Sequence, residues 1–318
     1  MAELGRAQPV VLAAIATILT ANVAILSSNR ATVERSDAAP VAATTSTTTA
    51  ASAVVLFGKA DSPVAMPTVF RVRPDGSSLM PSARPAVRTD QRIGGYKVFA
   101  TAAGIAVARS DGSGGAQLTT SALDSEPRLD PTDHTVAYLH RLSPTVNAVG
   151  FVTPRGQPLG YLVPPLGDSY DKFAWSPDGT SVALLRTSES GPAAIYVASL
   201  IREAPHEVAR GDFRDVAWSH DGTRIATIRG NDVWVMASDG SSTVRLTRLV
   251  GTRVVLQPMW SPDDTQIAFV SVAANEAIDV VQADGTGVTT AYQSSALNCA
   301  HCEYISLFGW APRGNMAA

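Results

Sequence analysis

Few residues in this chain have types and spacing suited to chemistry. A serine nucleophile on a strand-to-helix elbow needs Gly-x-Ser-x-Gly. The nearest stretch, GDSYD from Gly167 to Asp171, lacks the second glycine and sits among turn residues rather than before a helix. The five histidines, His134, His140, His206, His220 and His301, are scattered, and only His301 has potential metal ligands beside it, in CAHCE at 299–303. Zinc takes four protein ligands in a structural site and three in a catalytic one. Cys299, Cys302 and His301 supply at most three, all local. Arg210-Gly211-Asp212 matches the tripeptide of integrin ligands, but tripeptides recur by chance and these are ordinary turn residues. No catalytic, cofactor or metal residue is assigned. The chain is expected not to be an enzyme.

Charge and the N-terminus bound the setting. Lys+Arg 25 against Asp+Glu 28 gives a net charge of −3 with no basic run, so the chain has no electrostatic footprint for nucleic acid. From Ala7 to Asn29 no residue is charged, and VVLAAIATILTANVAIL at 10–26 is mostly apolar between Arg6 and Arg30. That length lies between a signal peptide and a spanning helix. The nearest small-residue cluster, SDAAPVAA, lies well beyond the apolar run and contains Pro40, which favours an uncleaved anchor over a cleaved signal for residues 1–30. Residues 31–53, rich in Ala, Thr and Ser, read as a disordered linker, because such a segment buries too little apolar surface to offset the entropy of ordering. In an exported chain with two nearby cysteines, a Cys299–Cys302 disulfide is the preferred reading, with a metal or free thiols as alternatives.

Beyond residue 53 the sequence repeats. FAWSPDGTSVALL at 173–185 returns as VAWSHDGTRIATI at 216–228 and PMWSPDDTQIAFV at 258–270. Each copy is a strand ending in Trp175, Trp218 or Trp260, a tight turn and an alternating strand. Pro177 presets φ, Asp178, Asp221 and Asp263 accept backbone N–H groups, and Gly179 and Gly222 take a positive φ. Asp264 replaces the third glycine, and His220 replaces a proline, which is expected only to loosen the turn. Weaker copies are RLDPTDHTVAYL at 128–139, with Leu129 in the tryptophan position, and LFGWAPRG at 307–314, which ends soon after Trp310. A second set of turns, RPDGSS, RSDGSG, ASDGSS and QADGTG, follows other strands. The unit is therefore four-stranded, and such units in series make a β-propeller. Residues 54–314 divide into six repeats of about 43 residues, the spacing between the tryptophans, whereas seven would leave about 37. The strand at Trp310 then pairs with VVLFGKA at 54–60 to close the ring.

AWSPDGTSVALL, VWVMASDGSSTVRLT and MWSPDDTQIAFVS resemble the repeats of TolB-type six-bladed propellers, a pattern shared with propeller domains of some serine peptidases. The resemblance implies an all-β, six-bladed ring, here with an anchor and linker in front. In such a blade the turns after strands one and three emerge on one face, and the connections after strands two and four on the other. That second face is expected to carry irregular segments and the binding site, with Asp168, Tyr170, Asp171, His301, Glu303 and Tyr304 as candidates. The expected partners are an envelope protein or a cell-surface glycan, met by a monomeric propeller outside the cytoplasm. A reporter enzyme active only after export, fused after Gly314, should be active. Activity confined to the cytoplasm would contradict the export reading.

Overall fold

A computed structural model describes residues 53–60, 68–82, 96–109, 113–200, 204–251, 253–273, 275–294 and 304–311. The anchor and all but the last residue of the linker lie outside these residues, as do Cys299, His301, Cys302 and Glu303. Twenty-three strands follow one another with no helix among the described residues. They are β1 (Val54–Ala60), β2 (Thr68–Val72), β3 (Met80–Pro81), β4 (Tyr96–Thr101), β5 (Gly104–Arg109), β6 (Ala116–Gln117), β7 (Asp124–Leu129) and β8 (Val136–Ser143). There follow β9 (Val146–Val152), β10 (Pro158–Leu162), β11 (Asp168–Trp175), β12 (Ser181–Ser188), β13 (Gly191–Ser199), β14 (His206–Arg210), β15 (Phe213–Trp218) and β16 (Arg224–Arg229). The last are β17 (Asp232–Ala237), β18 (Thr243–Arg245), β19 (Val254–Trp260), β20 (Gln266–Val272), β21 (Glu276–Gln282), β22 (Val288–Gln293) and β23 (Tyr304–Ala311).

These strands form six antiparallel sheets. Blade one is β4-β5-β6, blade two β7 to β10, blade three β11 to β14, blade four β15 to β18 and blade five β19 to β22. Blade six has the order β23-β1-β2-β3, so its inner strand is the last of the chain. Val54 pairs with Ala311, Val55 with Trp310 and Ala60 with Tyr304.

The hydrophobic core lies between blades rather than within one. Val98, Ile105 and Val107 of blade one meet Leu129, Val136 and Val152 of blade two. Phe151 of blade two meets Phe173 and Trp175 of blade three, and Leu185 and Ile195 of blade three meet Phe213 and Ile225 of blade four. Val235 packs on Trp260 and Phe269, and Val270 and Ile278 pack on Phe57 and Leu307. Burying one such large side chain contributes about 1.5–3 kcal/mol, so each interface holds several times the stability of any single contact. Three of the tryptophans add a polar tie to the preceding blade. Trp175 Nε1 donates to the carbonyl of Arg128, Trp260 to Ala217 and Trp310 to Met259, all at 3.1 Å. Trp218 departs from the pattern and donates to Gly222 O of its own turn, at 2.9 Å.

The turns are built alike. The N–H at Gly179, Gly222 and Asp264 donates to the carbonyl three residues earlier, at Ser176, Ser219 and Ser261. Asp264 holds φ 55° and Asp133 φ 63°, which aspartate tolerates better than most side chains. Ser176, Ser219 and Ser261 donate to Asp178, Asp221 and Asp263 at 2.5, 2.6 and 2.6 Å, and the threonine two residues after each aspartate bonds the same carboxylate. In the second set of turns, Gly240 at φ 78° has no alternative, since a Cβ there would lie 2.2 Å from the carbonyl oxygen of Val208 on blade three.

His220 does more than loosen its turn. Its N–H donates to Asp264 Oδ1 at 2.9 Å, its Nδ1 lies 3.0 Å from the same oxygen, and Asp221 N–H donates to Asp264 Oδ2 at 2.7 Å. Asp264 therefore serves two purposes: it takes the glycine conformation and ties the turn of blade five to that of blade four. The connections after the second strands are also tighter than expected. HRLSPTVNA folds almost wholly into β8 and β9 around Pro144-Thr145, and RTSESGPA into β12 and β13 around Glu189-Ser190.

These turns make acid stability predictable. The Ser219 hydroxyl and Thr223 N–H hold Asp221 down at about 2. The Ser241 N–H lowers Asp239, and the Thr286 hydroxyl lowers Asp284. At Asp178 and Asp263 burial pushes the carboxyl up, but bonds from the neighbouring serine and threonine outweigh it. Carboxyls below the unfolded value near 3.9 stabilise the fold above that pH, and the contribution disappears as pH falls through the folded values. The melting temperature should therefore drop between about pH 4 and 2 as these lowered carboxyls take up protons. A melting temperature unchanged across that acid range would contradict this reading of the turns.

Candidate binding face

β4, β7, β11, β15, β19 and β23 are the inner strands; β11, β15 and β19 end at Trp-Ser turns, β7 at Leu129-Asp130 and β23 just past Trp310. Their first residues therefore open on the opposite face. On the turn face most side-chain acceptors bond the serine, threonine or N–H groups of their own turn, or, for Asp264, of the next turn, which leaves that face stereotyped. The opposite face has a different texture.

Asp168 opens β11, with Oδ2 3.5 Å from Arg186 Nη1. The Arg186 guanidinium lies 4.4 Å from the centre of the Tyr196 ring, whose hydroxyl donates to Glu207 at 2.8 Å. Arg210 grips Glu207 through Nε at 2.9 Å and through Nη2. The arginine of the Arg-Gly-Asp tripeptide is thus already engaged within its own strand. Asp171 accepts the hydroxyls of Ser169 at 2.5 Å and Thr187 at 2.6 Å, and Asn147 N–H of blade two donates to Ser169 Oγ at 3.0 Å. Tyr170 is buried among Phe173 and Leu184, and burial pushes its phenol up to about 12. Of the three candidates from this loop, Asp168 and Asp171 reach the face and Tyr170 belongs to the core. Tyr304 opens β23.

Sequence reading missed two constellations. In the first, His140 Nδ1 lies 2.6 Å from the buried Asp124 Oδ1, with the exposed Tyr161 ring 5.1 Å from the imidazole. In the second, the inner strands of blades two to six each carry a bulge just before their tryptophan or leucine, whereas β4 of blade one pairs with β5 without one. At the offset of three residues before Leu129, Trp175, Trp218, Trp260 and Trp310 stand Glu126, Lys172, Asp215, Gln257 and Leu307. Neighbours around the ring bond each other. Lys172 Nζ pairs with Glu126 at 2.8 Å, Gln257 N–H donates to Asp215 Oδ2 at 3.2 Å, and Leu307 N–H donates to Gln257 Oε1 at 3.1 Å. Burial pushes the Asp215 carboxyl up, against the pull of Lys172, Arg128 and the N–H groups of Val216 and Gln257. The constant offset was present in the sequence. It is visible only once the strand pairing is known to bring those positions of neighbouring blades together.

These features define a six-bladed propeller closed by its terminal strands, with one stereotyped face and one varied face. No known family and no curated protein matches the sequence. Among solved structures, the chain is similar to a putative TolB from Agrobacterium tumefaciens, with a TM-score of 0.58 and 15% identity over 81% of this chain and 99% of that one. It is similar to TolB from Acinetobacter baumannii, with a TM-score of 0.59 and 13% identity over 83% and 67%. It is also similar to oligogalacturonate lyase from Vibrio parahaemolyticus, with a TM-score of 0.51 and 11% identity over 76% and 74%. The fold is TolB-like. At these identities the likeness speaks for architecture alone.

Proposed function

We propose that this chain is a membrane-tethered, extracytoplasmic, monomeric propeller that binds an envelope protein or cell-surface glycan on the face opposite its Asp/Gly turns, without catalysing a reaction. The observation that carries this reading is the point where the polypeptide enters the ring. Val54 pairs with Ala311, the end of an inner strand, so β1 starts at the turn face and runs toward the other. A tether made of residues 1–53 would join the turn face, leaving the varied face directed away from it. Rigid scaffolds commonly present recognition groups on such connections.

An enzyme, hydrolase or lyase, is the second reading. The lyase likeness and the raised carboxyl of Asp215 on the inner belt favour it, since carboxyls of that kind serve as general acids.

Photo-crosslinking side chains at positions 166 and 189 on the varied face, compared with 239 and 284 on the turn face, test the first reading in the native membrane. Adducts to protein or glycan should form from 166 or 189 and not from 239 or 284. Adducts confined to the turn face would refute it. Turnover of ester, peptide or glycoside substrates abolished by Asp215→Asn would replace it with the second reading.

A further inference from the structure

On the varied face, where blade four meets blade three, a recess of about 400 Å³ is lined by Asp212, Arg229, Asn231, Asp232, Trp234 and Arg245. Asp212 lies on the connection between the blades. Arg229, Asn231 and Asp232 flank the β16–β17 hairpin, and Trp234 pairs with Arg245 across β17 and β18. Strand alternation puts Arg229, Trp234 and Arg245 on the sheet face shared with Ile225 and Met236, which packs on blade three. The Arg229 guanidinium lies 5.3 Å from the centre of the Trp234 ring and 5.9 Å from that of Phe213.

Two groups here have unmet demands. Trp234 Nε1–H has no acceptor, although the indole N–H of each of Trp175, Trp218, Trp260 and Trp310 reaches a carbonyl. Arg229 is exposed and has no ion-pair partner among the described residues, whereas Arg245 is matched by Asp232 at 2.5 Å. Asp232 is itself saturated by Thr247 Oγ1 at 2.8 Å and Leu249 N–H at 2.9 Å. The recess thus offers one positive charge with no carboxylate partner among the described residues, one idle donor and a partly exposed aromatic slab. A turn of the indole that carried Nε1 out to a ligand oxygen would break no hydrogen bond.

From this arrangement we propose that the recess binds an acidic sugar, a uronic-acid residue of an oligosaccharide, with its carboxylate on Arg229 and its ring against Trp234. The inference rests on the glycan form of the reading above and specifies its ligand. An aromatic side chain suits the apolar face of a pyranose, and a guanidinium suits a carboxylate. The remaining lining separates a sugar from an acidic peptide. Asp212 is exposed and only loosely paired with Arg214, at 3.7 Å, so it can accept hydroxyl protons, and the Asn231 amide can both donate and accept. The further carboxylates of a peptide would be repelled by Asp212, whose charge has only a loose partner, whereas sugar hydroxyls would use Asp212 as an acceptor.

The test is calorimetric titration of the full chain, in detergent, with cellobiouronic acid and with cellobiose, which differ in a single carboxylate. The acid should bind at least tenfold more tightly. Arg229→Gln should erase that difference, and Trp234→Leu should weaken both ligands at least fivefold, with Trp234→Phe in its place if the leucine variant melts early. Arg229 is exposed, so its variant should melt like the parent. Equal affinity for the two disaccharides, binding of neither, indifference to both substitutions, or tighter binding of a triglutamate peptide through Arg229 would each overturn the assignment. Crosslinks from positions 166 or 189 that persist in any of those cases would show that only the recess was misread and that the varied face still binds.

Discussion

A four-stranded blade has two apolar faces and cannot cover either alone, so each blade here is stable only between two others. That constraint makes closure of the ring the condition for the rest of the structure. The chain meets it by splitting one blade, with β23 as its inner strand and β1, β2 and β3 outside it. Phe57 and Leu307, brought together by that pairing, complete the interface with Val270 and Ile278 of blade five. The same junction is fastened by Trp310 Nε1 on Met259 O and by Leu307 N–H on Gln257. Closure also covers the edge of β1, which would otherwise be open to another chain.

The two faces divide the work of the ring. One face is spent on architecture, where serine, aspartate and threonine bond each other within each turn and Asp264 joins two turns. The other carries charges whose partners differ from blade to blade, such as Asp124 with His140, Asp168 with Arg186, Asp232 with Arg245 and Asp279 with Arg253. Repetition of sequence marks the first face, and its absence marks the second. Function is therefore sought where the repeat fails, at groups such as Arg229 and Trp234 that serve no bond the neighbouring blades need.

Much of the fold was legible because its signals are local. Trp175, Trp218 and Trp260 fix the period, and a glycine or aspartate forced to positive φ fixes each turn. The relations between blades were not legible. Nothing in WSPDDT says that Asp264 will accept two N–H groups from a turn 43 residues away, or that His220 will share that carboxylate. GDSYDKFAW alternates like a surface loop entering a strand, yet Tyr170 turns into the core because the bulge between Tyr170 and Lys172 shifts the register. VWVM reads as a buried strand, so Trp234 was indistinguishable from a core residue. Arg229 and Arg245 meet it only through sheet pairing. Sites assembled from three strands leave no spacing for a motif search to find.

The central claim is that the C-terminal strand closes the ring and that every blade depends on it. Its most direct test is calorimetry of the chain ending at residue 303, compared with the full chain and with the shortened chain supplied with a peptide of residues 304–318. The account predicts one cooperative transition for the full chain, its loss on truncation, and recovery when the peptide restores β23. A truncated chain that melts as a single transition at the temperature of the full one would contradict it.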